Sequence, residues 1–390
     1  MGHTVSCKIL SLDGGANWSL LQCMALGAVY PGMRGRQILA RFDFVAASSG
    51  GSLVLADLLE DQTPAEMLAT FDHPDSSTSL FVKLPLLARL PSLVGLGPTF
   101  STERKRERIA ASLGPIGDCA MRDLGDLFSS PGAAPKMLIT GFDYDRLRAV
   151  FFRSFDSKAG KTASDISLID AVNASSTAPV TFFDRPAIVG QQRYWDGAIG
   201  GYNNPVLAAV VEALIDGAAP SEIVALSLGT GVTCHVPLDH PVQAGPPEFF
   251  VGRGRAGLLA DIRKLAGSIL DEPPDAAGYA AYVAMGNAVA DAQQQPGTLV
   301  RLSPSIQPVL SDSAWTAPPG LTCDELTMLM NLPALLPTDT AVAAVKTLGR
   351  KWIAGGVPNE PIQRGENLEC VVGDASFEAA RDRWQAFDAA

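Results

Sequence analysis

Four strand-length runs in this chain stop abruptly at small or acidic residues, and a helical pattern or a tight turn follows each. Residues 8–12 (KILSL) end at Asp13-Gly14-Gly15, and 42–46 (FDFVA) run into Ala47-Ser48-Ser49-Gly50-Gly51. Residues 193–195 lead into Asp196-Gly197, and 223–228 (IVALSL) into Gly229-Thr230-Gly231. Apolar runs of this length, alternating with helical periodicity, predict an α/β layer fold whose functional side chains collect at the strand ends. Helices are expected at 20–29, 53–59, 64–71, 101–114, 167–175 and 206–214, and strands at 137–140 and 149–154, which would pair. Beyond 231 the texture changes to a proline-rich loop at 235–247. Helices are expected after it at 260–270, 276–292, 324–335 and 338–353, with one more strand at 299–302. No flexible linker precedes this last third, so it reads as helical covering on the same domain.

The run at 42–59 has the grammar of a nucleophile elbow: strand, sharp turn through small residues, helix. The turn leaves Ser49 exposed, and the helix N-terminus behind it favours developing negative charge. Ala47, Gly50 and Gly51 are the small residues that let strand and helix backbones approach. A Ser/Gly-rich turn also has a purely structural reading. A serine nucleophile needs a base and an oxyanion hole. Gly14-Gly15-Ala16, between a strand and a helix, can converge backbone N–H groups on one point. The lysine of a phosphate loop is absent there. Asp196, closing an apolar-aromatic strand (Tyr194-Trp195), is the candidate base. An aspartate bonding its local turn is the rival reading. The histidines are His3, His73, His235 and His240. Among them His235 or His240 would complete the chain order Ser…Asp…His of an ordinary α/β-hydrolase triad.

Composition excludes other classes. The net charge of −11 argues against binding a nucleic-acid polymer. The six cysteines form no C-x-x-C pair, so zinc and thioredoxin-like readings fail, and no metal cluster or cofactor motif is visible. The absence of a secretory signal makes a cytoplasmic location the expectation. Residues 80–96 are the most apolar window, but Lys83, Arg89 and two prolines interrupt any membrane span. That segment reads as an interfacial patch, a lid or a buried helix-turn. The charges from Glu103 to Arg108 read most simply as a solvated helix face, with a headgroup-binding patch as the sharper alternative.

Taken in order, Asp13-Gly14-Gly15, FDFVAASSGGS, Asp196-Gly197-Ala198 and LSLGTG at 226–231 resemble the motifs of the patatin-like phospholipases. Asp170-Ala171 through Ser175-Ser176-Thr177-Ala178-Pro179 resembles that family's small-residue helix ending in Ala-Pro, and Asn203-Asn204-Pro205 its Asn-Asn-Pro. The resemblance implies a three-layer α/β/α fold with a central, mostly parallel sheet and extra C-terminal helices. It implies one domain over 1–390, with a motif-bearing core at about 8–232 and a helical part at about 233–390. It also implies a lipid acyl hydrolase that works through an acyl-enzyme, with Ser49 as nucleophile, Asp196 as base and no histidine. Gly14, Gly15 and Ala16 would form the oxyanion loop, and no metal or cofactor would be needed. The partner would be a phospholipid or other lipid ester, met during transient contact with a membrane surface. Two further roles are compatible with the family: a defence effector switched on by a small-molecule nucleotide, and an inactive pseudoenzyme. The family's loop reads DGGG-x-RG; here Ala16, Trp18 and Ser19 replace the third glycine, the arginine and the last glycine. A positive φ at Ala16 would cost about 1 kcal/mol or more. Trp18 would make that side of the pocket more apolar.

Overall fold

Strand β1 (Cys7–Leu12) is buried at every residue but Lys8, which is the pattern of a central strand covered on both faces. In this computed structural model residues 7–71, 80–89, 97–129, 133–180, 182–251, 275–287, 297–336, 338–360, 362–364 and 370–389 are described. From β1 the chain passes through helices α1 (Leu20–Val29) and α2 (Gly35–Leu39) to β2 (Phe44–Ala47), α3 (Gly50–Leu59) and α4 (Pro64–Ala69). Next come α5 (Thr102–Leu113), the antiparallel pair β3 (Lys136–Asp143) and β4 (Arg148–Arg153), and α6 (Leu168–Ser175). Strands β5 (Ala187–Val189) and β6 (Gln192–Asp196), helix α7 (Val206–Asp216) and strands β7 (Ile223–Leu228), β8 (Val232–Thr233) and β9 (Leu299–Leu302) complete the site-bearing part. Helices α8 (Asp275–Ala284), α9 (Cys323–Met330), α10 (Asp339–Ile353) and α11 (Phe377–Asp388) belong to the last third.

The main sheet runs β5-β6-β3-β2-β1-β7-β9, with β4 beside β3. Its centre, β3-β2-β1-β7-β9, is parallel throughout. Side chains alternate across the pleat. Leu10, Leu12, Val45 and Ile139 enter one core with α1, α3, α6 and α10, while Ile9, Phe44, Ala46 and Leu138 enter the other with α7 and α8. Helices on both faces of a mostly parallel sheet make this a three-layer α/β/α fold. Strand β9 joins that sheet from the far side of the 233–298 region, pairing Leu299 to Leu302 with Ala225 to Leu228.

One detail of register positions the site. Strand β4 occupies one edge of β3 over Leu138–Asp143. The opposite edge is shared end to end. Parallel β2 pairs Ala47 with Ile139, and antiparallel β6 pairs Asp196 with Gly141. The C-terminal ends of β2 and β6 therefore point at each other across Thr140. Gly197 must lack a side chain, because a Cβ there would lie 2.0 Å from Thr140 Oγ1.

Several boundaries differ from the sequence reading. Helix α3 starts at Gly50, immediately after the serine, because Gly50 and Gly51 can pack under the neighbouring loop. A Cβ on Gly51 would meet the Leu12 carbonyl oxygen at 2.4 Å. Helix α9 stops at Met330 instead of 335, releasing the Leu332-Pro333 segment from the helix. The helix expected at 276–292 is Asp275–Ala284, and Met285 to Asn287 lie outside it. The helix expected at 260–270 lies outside the described residues. Short elements such as α2, β5 and β8, and the terminal helix α11, have no counterpart in the sequence reading. Among the described residues no helix is long and apolar enough to cross a membrane.

Candidate active site

Ser49 sits in the turn between β2 and α3 with φ 45° and ψ −120°, a region that side-chain-bearing residues rarely occupy. Its surroundings fix it there. The Ser49 N–H donates to Ser175 Oγ at 2.9 Å, the Ser49 carbonyl accepts from Ser52 Oγ at 2.6 Å, and the Ser49 hydroxyl donates to Asp196 Oδ2 at 2.7 Å. Asp196 is itself held at both ends. Its N–H donates to the Thr177 carbonyl at 2.9 Å, and Oδ1 accepts the Ala198 N–H at 2.9 Å. The final turn of α6 and the residues after it thus hold the backbone of both partners.

Asp196 is only 2 % exposed. Burial disfavours its ionised form and pushes its pKa up to about 6, against the pull of the Ala198 amide, the Ser49 hydroxyl and the Lys105 charge. A carboxylate raised this far is a better proton acceptor than an ordinary aspartate and is still ionised for the most part at neutral pH.

The loop at Asp13–Ser19 faces Ser49. Its base is fixed by an ion pair between Asp13 and buried Arg301 of β9 at 2.7 Å, and Arg301 also donates to Ser227 Oγ at 2.8 Å. The Gly14 amide, expected among the oxyanion donors, is engaged elsewhere. Its N–H donates to the Asn203 carbonyl at 2.9 Å. Gly14 serves by closeness instead, since a Cβ there would lie 2.1 Å from Asn203 Oδ1 and 2.9 Å from Ser49 Cβ. Among the described residues the amides of Gly15, Ala16 and Gly50 have no backbone acceptor, which leaves them available to an oxyanion. Ala16 does take the positive φ, at 48°, where the family has glycine. Glycine is needed at 50 because a Cβ would come within 2.7 Å of the Ala16 amide nitrogen.

These residues open onto a cavity of about 570 Å³. Phe81, Phe183 and Leu53 form part of its apolar lining, and Met330 with Leu332 to Leu335 forms a second wall. The sequence reading missed the second wall. It is tied to the glycine loop, with the Trp18 indole N–H donating to the Pro333 carbonyl at 3.1 Å and the Asn17 N–H to the Ala334 carbonyl at 3.3 Å. Phe81 carries part of the expected 80–96 segment into the cavity wall, while Leu86 of the same segment is 62 % exposed and 90–96 lie outside the described residues. His235 is an exposed residue of the cavity rim. His240 packs on Trp315 and bonds the Val242 backbone. Neither imidazole stands between Ser49 and Asp196, which are bonded directly. Among the described residues no group of three His, Cys, Asp or Glu side chains converges to hold a metal ion.

The reading of Glu103 to Arg108 as a solvated face needs correction at one residue. Lys105 lies fully buried on the same side of α5 as Ile109 and Leu113.

A three-layer α/β/α sheet with a strained serine after one strand and a buried aspartate bonded to it defines a class of α/β proteins with a paired Ser–Asp site. The model of the patatin-like phospholipase family matches residues 10–210, just over half of the 390, and the chain belongs to that family. Lipid acyl hydrolysis is the general activity of the family. Comparison with curated proteins gives no match. Among solved structures, VipD from Legionella pneumophila is 11% identical with a TM-score of 0.37, over 89% of this chain and 67% of that one. Human GIVD cytosolic phospholipase A2 is 14% identical with a TM-score of 0.27, over 43% of this chain and 27% of that one.

Proposed function

We propose that this chain hydrolyses carboxylic esters of lipids through a Ser49–Asp196 dyad. The observation that carries the reading is the 2.7 Å bond from the Ser49 hydroxyl to a buried carboxylate whose pKa is pushed up to about 6. Ser49 Oγ attacks the ester carbonyl as Asp196 takes its proton. The N–H groups of Gly15, Ala16 and Gly50 hold the tetrahedral oxyanion. Asp196 returns the proton to the leaving alcohol, and an acyl-enzyme remains on Ser49. Water, deprotonated by Asp196, then attacks the acyl carbonyl. The fatty acid departs and Ser49 recovers its proton. No histidine, metal or cofactor takes part in this scheme.

The apolar wall of Trp18, Leu53, Phe81, Phe183 and Met330 suits an acyl chain, and exposed Val180 of the same lining, with exposed Leu86 further along the chain from Phe81, suits brief contact with a membrane surface. Because Met330 to Leu335 complete the cavity, the catalytic unit in this reading extends beyond the motif-bearing core (about 8–232) into the C-terminal part, as one domain over 1–390. The decisive experiment is labelling with a fluorophosphonate probe, paired with hydrolysis of a phospholipid and of a short p-nitrophenyl ester. A single adduct at Ser49, with hydrolysis lost in both Ser49→Ala and Asp196→Asn, is expected. An adduct elsewhere, or mutants as active as wild type, would sink the reading.

A further inference from the structure

Helix α5 turns Glu103, Arg104, Arg106 and Glu107 outward. Lys105 falls on the opposite side, because residues four and eight positions on, Ile109 and Leu113, are the buried stripe of the helix. Burying an ammonium is costly unless every N–H finds an acceptor. Here each does. Lys105 Nζ donates to the Asn173 carbonyl at 3.1 Å, Ser176 Oγ at 3.0 Å and Thr177 Oγ1 at 2.8 Å. The two hydroxyls spend their own protons on the carbonyls of Val172 and Asn173, so both present lone pairs to the lysine. The face of Phe183, a cavity residue, lies 4.3 Å from Nζ. Three acceptors matched to three donors are the surroundings of a charged ammonium.

Those acceptors lie at the end of α6, where a cation also meets the negative end of the helix dipole. The same turn holds the reacting pair: Ser175 accepts the Ser49 amide and the Thr177 carbonyl accepts the Asp196 amide. We propose that Lys105 is a positioning residue for Ser49 and Asp196, pinning the turn that fixes both backbones and favouring the ionised form of the carboxylate. This rests on the hydrolase reading above. Burial holds the ammonium well below the ordinary lysine range, and Asp196 pulls the other way. The neighbouring charges are otherwise engaged. Arg106 pairs with Asp170 of α6, and Arg185 with Glu103. Asp184 accepts the Thr102 amide. Asp143 of β3 accepts the amides of Asp145 and Arg146, and across the cavity Asp13 pairs with Arg301.

The test follows the rate of fluorophosphonate labelling of Ser49, and kcat and KM for a short p-nitrophenyl ester, against pH. In Lys105→Met the acid limb set by Asp196 should move up by about one pH unit. Such a shift lowers the rate about 5-fold near the wild-type midpoint and less than about 2-fold three units higher, with KM unchanged. Lys105→Arg, which returns a cation, should bring the limb back toward wild type. A rate lowered equally at every pH, with the limb unmoved, overturns the proposal and leaves Lys105 a packing residue. If Lys105→Met does not fold, Thr177→Val removes one acceptor and should move the limb the same way by about half as much; an unmoved limb there overturns it as well. Labelling of wild type that survives in Ser49→Ala would remove the hydrolase reading and the proposal together, whereas Ser49-dependent labelling with an unmoved limb removes the proposal alone.

Discussion

Two loops pack against each other at the cavity, and each holds one non-glycine residue in the left-handed region: Ser49 at φ 45° and Ala16 at φ 48°. They are restrained from different places. Ser49 is fixed by Ser175, Ser52 and Asp196, all within the segment that carries the family motifs. The Ala16 loop is fixed at its base by Arg301 and at its tip by the carbonyls of Pro333 and Ala334. One half of the site is thus built by the motif core, and the other is anchored both to that core, through Asn203 and Thr230, and to the last third of the chain. Strain in the first is held by hydrogen bonds from within that segment, up to 147 residues away in sequence; in the second it is held by contacts more than 280 residues away.

The sharpest way to break the elbow is Ser49→Ala, expected to lower lipid-ester hydrolysis by roughly 10³-fold or more, with the fold intact by circular dichroism. Asp196→Asn should lose nearly as much activity. Its effect on stability should run the other way. The folded-state pKa of Asp196 is raised from 3.8 to about 6, so the native state binds the proton more tightly than the unfolded chain does. The stability from that proton is full below the unfolded pKa and is lost as pH rises through the folded one. At neutral pH the ionised aspartate therefore costs stability. Denaturant unfolding should find Asp196→Asn more stable than wild type by on the order of 1 to 3 kcal/mol at neutral pH, and no more stable near pH 3. An equal difference at both pH values would refute the burial argument. The same pKa places the acid limb of wild-type kcat/KM near 6, with activity falling as pH drops through it.

The glycine loop should respond more mildly. Trp18→Phe keeps the ring and deletes the N–H that reaches Pro333. It should lower kcat/KM for long-chain esters by about 3- to 10-fold while short esters change little. Equal losses on both would mean that the 332–335 wall does not contact the acyl chain. The smallest change expected is from Ala16→Gly. Relief of the positive φ is largely offset by the extra freedom of glycine in the unfolded chain, so thermal unfolding should show a gain below about 1 kcal/mol.

The contrast between the loops also explains what could be read from the sequence. Ser49 and its small neighbours were legible because strand, turn and helix are contiguous, and Asp196 because it closes a strand in a recognisable order of motifs. The fold class followed from the same alternation. The free amides of Gly15 and Ala16 were legible in the glycine loop, whereas the engagement of Gly14 was not, because its N–H is taken by a carbonyl at Asn203 that only the folded backbone brings near. Lys105 was hidden in a run of six charged residues, where composition suggests a wet surface and only the phase set by Ile109 and Leu113 points inward. The wall at 332–335 was read as helix, because its apolar residues kept the helical rhythm up to the proline.

The shared edge of β3 has a mechanical consequence. Ser49 follows a strand paired at Ile139, and Asp196 ends one paired at Gly141, so both partners are referenced to the same three-residue stretch of backbone centred on Thr140. Twisting or bending of the sheet carries the two together as a common displacement. The 2.7 Å bond is thereby referenced to the sheet, whereas the wall at 332–335 is tied to the glycine loop.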